Sequence, residues 1–284
     1  MPEHRVLRSA GALWALAMLL AGRAAAQSSS DPQLTFSITA GITSSGGELW
    51  TLPKQPLYVI GTSNPPEFDT LKVARYLRPG IAATLSATYM RSPHLGFTGE
   101  VGYFDIESEQ RCDSTATYQP DPAAENKNAQ ACSNAQGAHV PTSVFGIQFG
   151  AAWRFTTETH VQPYIRASAG VGFLSNSFVL TSANVLAPTT CAATNSICTV
   201  VMVDGESTPE LGFLATLAAG ASLTISPGYR FRFEARDLIV ELPAPSRPAN
   251  PSTALAPVGT VLRHIPVFTV GLDVVLERRR GRRY

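Results

Sequence analysis

The chain has 284 residues, with 22 basic and 21 acidic side chains, a net charge of +1, and 44% hydrophobic but only 15% charged residues. Such a balance excludes a polyelectrolyte chain and shows no global basic bias, so no nucleic-acid partner is expected. Beyond Ala26 no stretch stays apolar and uncharged for the roughly 20 residues of a helical span, so any later membrane crossing must be made with strands.

Arg5 and Arg8 precede an apolar run from Ala10 to Ala21, and Ala24-Ala25-Ala26 follows it. This layout predicts a cleaved secretory signal over 1–26, with a signal anchor as the alternative. Arg5, Arg8 and Arg23 outnumber Glu3 by two, so the mature chain carries −1. Four cysteines in an exported chain favour disulfides over free thiols or a metal site. The spacing of Cys112 to Cys132 and of Cys191 to Cys198 suggests one bridge within each of two loops, with other pairings open. No metal or cofactor is expected.

From Leu34 onward the pattern has period two, the signature of strands. Leu34, Phe36, Ile38, Ala40 and Ile42 begin it. The alternating run of Ile81, Ala83, Leu85, Ala87 and Tyr89 then turns at Ser92-Pro93-His94 into Leu95, Phe97, Val101 and Tyr103. A second pair sets Phe145, Ile147, Phe149, Ala151, Trp153 and Phe155 on one face, turns over Thr156 to Thr159, and returns through Val161, Ile165, Ala167, Val171 and Phe173. A third runs through Leu211, Phe213, Leu217 and Leu223, turns at Ser226-Pro227-Gly228, and returns through Tyr229, Phe231, Phe233 and Ala235. Phe268 to Leu276 supplies the eighth strand.

Short turns near 93, 158 and 227 alternate with long segments near 45–76, 109–139, 179–207 and 243–262. Alternation of this kind predicts an all-β, eight-stranded antiparallel up-and-down transmembrane β-barrel, with short periplasmic turns and long extracellular loops. The barrel domain is expected over 27–277 and a basic periplasmic tail over 278–284. Leu57 to Ile60 could add a strand, and is read as a loop extension. The segment from Pro243-Ala244-Pro245 to Pro257 is expected to have little core-forming capacity.

The less apolar strand face is mostly Gly, Ala, Ser and Thr, and the lysines, Lys54, Lys72 and Lys127, all fall in predicted loops. A soluble barrel or sandwich would carry charge on its outer face, so the apolar face is assigned to lipid and the small-residue face to a filled lumen. Tyr89, Phe97, Trp153, Phe155 and Tyr229 lie beside the short turns and are expected to form an aromatic girdle. Tyr103, Phe145 and Phe173 lie toward the long loops. Glu100, Arg166, Arg232, Glu234, Arg236 and Asp273 share the inward parity and are expected to form a lumen charge network. A gated ion path is the other reading of the same residues.

The segment Pro163 to Phe173 (PYIRASAGVGF), together with Arg232 to Asp237 (RFEARD), resembles strand motifs of small outer-membrane protein β-barrel domains, similar to the OmpA membrane domain and OmpX. The likeness extends over the strands of nearly the whole mature chain. It implies the bacterial outer membrane and a lipid partner that includes lipopolysaccharide. The chain departs from that pattern, in which the last strand finishes on an aromatic, because here Leu276 is followed by Glu277, the arginines up to Arg283 and a terminal Tyr284.

His94, His139, His160 and His264 lie at turns or loop edges with no evident Ser and Glu neighbours, so no catalytic residues are assigned. The expected function is a non-enzymatic monomer with a structural or surface-interaction role, its loops open to an extracellular ligand or phage. A lipid-modifying barrel enzyme and a narrow channel are the alternatives.

Overall fold

The structure, a computed structural model, describes residues 33–44, 47–56, 58–59, 70–113, 129, 132–133, 136, 139–140, 142–156, 159–175, 181–186, 197–203, 210–245 and 258–276. The expected signal, the basic tail and Cys191 fall outside these residues. Among them no helix is long and apolar enough to cross a membrane. In chain order the strands are β1 (Gln33–Thr43), β2 (Gly47–Pro56), β3 (Tyr58–Val59), β4 (Thr70–Leu77), β5 (Gly80–Met90), β6 (Leu95–Asp105), β7 (Ser108–Asp113), β8 (His139–Val140), β9 (Ser143–Arg154), β10 (Val161–Leu174), β11 (Thr181–Leu186), β12 (Ile197–Val203), β13 (Glu210–Ser226), β14 (Tyr229–Pro245) and β15 (Val258–Leu276).

Eight of them close a barrel in the order β1-β15-β14-β13-β10-β9-β6-β5, every pair antiparallel. Closure comes from the first strand meeting the last, with Leu34 opposite Leu276 and Ile42 opposite Phe268. The three short turns fall where the sequence places them. Gly228 takes a φ of 86°, which a side chain would strain, and so lets β13 turn directly into β14. Alternation sends Ile38, Leu85, Phe97, Phe149, Leu217 and Phe268 to the outer surface, where all are more than half exposed. Strand backbones satisfy one another around the closed ring, so this apolar exterior can stand in hydrocarbon without an open edge.

The long segments are more ordered than the sequence reading allowed. β2, β4, β7 and β8 form a second sheet in the order β2-β4-β7-β8. This repeats the barrel order β1-β5-β6-β9, because each member continues the barrel strand adjoining it in sequence. Half of the barrel wall therefore projects past its own rim. The breaks are bridged by backbone bonds from Arg78 N to Glu107 O and from Ile106 N to Thr142 O, both 2.7 Å. Residues 57–60 contribute β3, which pairs with β12 and not with the barrel, so the even strand count survives. Cys112 on β7 is disulfide-bonded to Cys132. The second proposed bridge depends on Cys191 and lies outside the described residues.

The segment near 243–262 needs the largest correction. β14 runs to Pro245 and β15 starts at Val258, and Leu242 and Ala244 are buried rather than idle. Pro243 and Pro245 occupy the free end of this hairpin, where a missing N–H costs the ladder least and discourages pairing with a foreign strand.

These projections share a core. Leu49, Trp50, Leu52, Leu71, Val73 and Leu77 of the four-stranded sheet pack in one cluster with the inward Phe104, Val144, Leu214, Leu238, Val240, Ile265 and Val267 of the barrel. Arg75 is buried in it with its guanidinium 5.8 Å from the Trp50 ring centroid and bonded to Gln110 Oε1 at 3.2 Å. Burial pushes the Arg75 pKa down to about 10. Replacing both Cys112 and Cys132 with serine should loosen this outer sheet by about 2–4 kcal/mol, since the bridge closes a loop of 20 residues in sequence. Limited proteolysis should then cut the outer sheet first, while the barrel keeps its heat-modifiable migration on unboiled gels.

Candidate functional site

Each barrel strand changes character along its inward face. On β14 the inward residues read Arg230, Arg232, Glu234 and Arg236 from the short turn, then Leu238, Val240 and Leu242. On β15 Asp273, Gly271 and Thr269 give way to Val267 and Ile265, and on β6 Thr98, Glu100 and Gly102 give way to Phe104. The lumen thus has a polar layer toward the short turns and an apolar layer toward the long segments. The expectation of hydroxyls, glycines and charges along the whole axis holds only for the first layer.

Register decides what meets in the polar layer. Glu100, Arg166, Glu234 and Arg236 come from three different parts of the sequence, and their side chains are at most 1% exposed. Arg166 donates from Nη1 to Glu100 Oε2 at 2.5 Å and from Nη2 to Glu234 Oε1 at 2.8 Å. Arg236 donates from Nη1 to Glu100 Oε1 at 2.9 Å, and its Nε also lies against Glu234 Oε1 as an ion pair without hydrogen-bond geometry. Arg232 donates to Glu234 Oε2 at 2.5 Å and stands 3.6 Å from Asp273 Oδ1. Three guanidiniums therefore face three carboxylates, and all six expected network residues are brought together.

Neutral groups that the sequence reading did not single out complete the layer. Tyr164 donates its hydroxyl to Glu234 Oε2 at 2.7 Å, and its ring lies 4.7 Å from the Arg232 guanidinium carbon. Arg236 also donates to Thr84, Arg232 to Ser37, and Ser222 to Asp273. The inward parity of Tyr164 was visible; its partner, 70 residues away, was not. Charges so buried are tolerable only with their hydrogen-bonding capacity filled, and this arrangement fills most of it.

Glycines let the wall close on these side chains. A Cβ at Gly170 would stand 1.9 Å from the backbone oxygen of Ile147 on β9, so the two strands approach more closely than any side chain permits. A Cβ at Gly102 would stand 2.7 Å from the Phe104 ring. The Gly170-Val171-Gly172 sequence thus serves packing rather than nucleotide binding.

On the outer wall Tyr89, Phe97, Trp153, Phe155 and Tyr229 are all exposed at the short-turn end. Tyr103, Phe145 and Phe173 stand directly opposite one another across β6, β9 and β10 toward the other end. Between the two groups lies the apolar band. Asp237 and His264, also on the outer wall, are joined by a 2.8 Å contact from Nδ1 to Oδ2, a pairing the sequence reading missed because it connects residues from two strands. No hydroxyl or thiol hydrogen-bonds to this imidazole among the described residues, and no group of three or more His, Cys, Asp or Glu there could hold a metal ion.

No family model and no curated protein matches the chain. Among solved structures, outer membrane protein OprG from Pseudomonas aeruginosa is similar at 7% identity and a TM-score of 0.43, covering 88% of this chain and 98% of that one. Neisserial surface protein A is similar at 10% identity and 0.38, covering 87% and 99%. The outer membrane protease OmpT from Escherichia coli is similar at 8% and 0.38, covering 88% and 99%. Strand number, antiparallel closure and the outward apolar band between two aromatic groups make this chain a small bacterial outer-membrane β-barrel.

Proposed function

We propose that the chain is a closed, non-enzymatic membrane anchor that carries a folded platform on the cell surface for interaction with an extracellular ligand, a phage or neighbouring cells. It works as a monomer surrounded by outer-membrane lipid, with lipopolysaccharide at its outer end, and its short turns face the periplasm. One observation carries this reading. The lumen is filled twice over, by the ion-pair layer and by the apolar layer above it, while four of the strands continue past the rim into a second sheet that shares one buried core with the barrel. A conduit would need a continuous polar path, and an apolar layer of this kind opposes one.

Two measurements test it. The purified protein in planar bilayers should add no conductance above the lipid alone, and steady single-channel steps would refute the closed anchor. Protease added to intact cells should cut within 114–138 and leave the short turns whole; the reverse pattern would invert the topology. The lipid-modifying alternative has the Asp237–His264 pair in its favour, since an oriented imidazole on the lipid-facing wall is half of a hydrolytic apparatus. Mass analysis of lipid A from cells with and without the protein should show identical acyl patterns, and a changed acyl number would establish the enzyme.

A further inference from the structure

We infer that the outer wall seats one acyl chain of a membrane lipid in a preformed hollow near the short-turn end, and that it recognises the chain without regard to the headgroup. Over much of the wall, large outward side chains such as Phe97, Phe149 and Phe268 stand clear of the backbone. Across β9, β10, β13 and β14 that relief disappears. Ala151 stands opposite Ala167, and Ala219 opposite Ala235, all four on the outward face. Their methyl groups floor a hollow of about 500 Å³, with Leu95, Trp153, Ile165 and Leu217 around it. Arg166 also borders it, but turns its guanidinium to the lumen. The volume falls in the range of a small-ligand site, and the side chains that line it offer hydrocarbon contact.

The occupant follows from where the hollow lies. It opens onto the outward apolar band and is continuous with the surface that the barrel gives to lipid, so hydrocarbon is what meets it. Its floor is lower than the surrounding wall by most of a side chain. A chain lying there touches protein beneath it and along both sides, and every added pair of atoms in contact adds dispersion attraction. Trp153 sets the direction of entry, because it belongs to the aromatic group at the short-turn end, and such rings stand at headgroup level. Register then carries the row inward from it, with Trp153 opposite Ile165, Ile165 opposite Ala219, and Ala219 opposite Ala235. The indole is already held in place. His94 is stacked on it with ring centroids 5.7 Å apart, and His94 Nδ1 donates to the Arg154 carbonyl oxygen at 2.8 Å. A wall fixed in advance has little left to order when the chain arrives. The glycerol end of the lipid therefore lies beside Trp153, with the chain running toward Ala235. This site depends neither on whether the lumen is closed nor on which end faces the periplasm.

The test uses residues 27–284 refolded in detergent and offered phosphatidylcholine or phosphatidylglycerol with identical chains. Native mass spectrometry then counts the lipid that survives washing with detergent. The expected result is one lipid per barrel, retained equally for the two headgroups. Ala219→Leu with Ala235→Leu should lower the retained lipid by about tenfold, since the two larger side chains fill the floor. Ala83→Leu, an outward alanine on another part of the wall, should change nothing. Gel migration without boiling shows that each variant has folded. Position is read from fluorescence: Trp50 and Trp153 are the tryptophans beyond residue 26, so Trp50→Phe leaves Trp153 alone. Retained lipid brominated near the glycerol end of its chains should quench that emission more strongly than lipid brominated near the methyl end. No retained lipid, retention untouched by the two leucines, retention that follows the headgroup, or stronger quenching from the methyl end overturns the inference. So does a lipid-free dimer that disappears with Ala219→Leu and Ala235→Leu, which would give the hollow to a second copy.

Discussion

Replacing Glu234 with glutamine is expected to destabilise the barrel by about 3–5 kcal/mol, the typical effect of removing one partner from a buried ion pair. Glu234 is bonded or paired to Arg166, Arg232 and Arg236 and accepts from Tyr164. Glutamine keeps the shape but leaves three guanidiniums with Glu100 and Asp273 alone. The charge excess is one full unit in a site sealed from water. Urea unfolding in lipid vesicles measures the loss, as a lower midpoint with an unchanged slope. Adding Arg232→Gln restores charge balance and should recover part of it, with a coupling energy above about 1 kcal/mol. A loss below about 1 kcal/mol for the single variant would mean that water reaches this layer. Arg166→Ala, which removes one of the two guanidiniums that bridge Glu100 and Glu234 and leaves Arg236 as the other, should also destabilise the barrel, by leaving the layer one positive charge short.

Truncating Phe104 to alanine should cost a similar amount, about 3–5 kcal/mol, through a different mechanism. Its ring is fully buried where the barrel core meets the core of the outer sheet, so the cavity left behind cannot fill from either side. Because a Cβ at Gly102 would meet that ring at 2.7 Å and otherwise only the Thr84 methyl at 3.3 Å, Gly102→Ala should be damaging in the parent chain and much milder beside Phe104→Ala. Non-additivity of more than about 1 kcal/mol would confirm the packing, and simple additivity would contradict it. Conductance should stay absent in Phe104→Ala, since the ion-pair layer below is untouched.

Along the sequence, the outward face of every barrel strand was legible, because alternation is a local property and hydrocarbon imposes it one residue at a time. The inward charges were legible as a set for the same reason: Glu100, Arg166 and Glu234 each lie a similar distance from a short turn, which puts them at similar height on a closed ring. The apolar outer layer also left a trace. In Leu238-Ile239-Val240 the alternation lapses into a continuous apolar run, the mark of a strand with buried surface on both faces. The extension strands β2 and β4 lay in the segment near 45–76 that the alternation of short and long connections assigned to a loop, and only pairing with neighbours made them a sheet.

By itself, then, the sequence determined strand number, turn positions, the face given to lipid and which charges point to the axis, since each depends on period and spacing within one segment. Tertiary structure alone decided which guanidinium meets which carboxylate, that Tyr164 reaches Glu234, that Asp237 meets His264, and that half of the wall continues outward to share a core with the barrel. Those outcomes depend on the stagger between strands, and stagger is fixed by closing the ring from first strand to last, a constraint that no single segment contains.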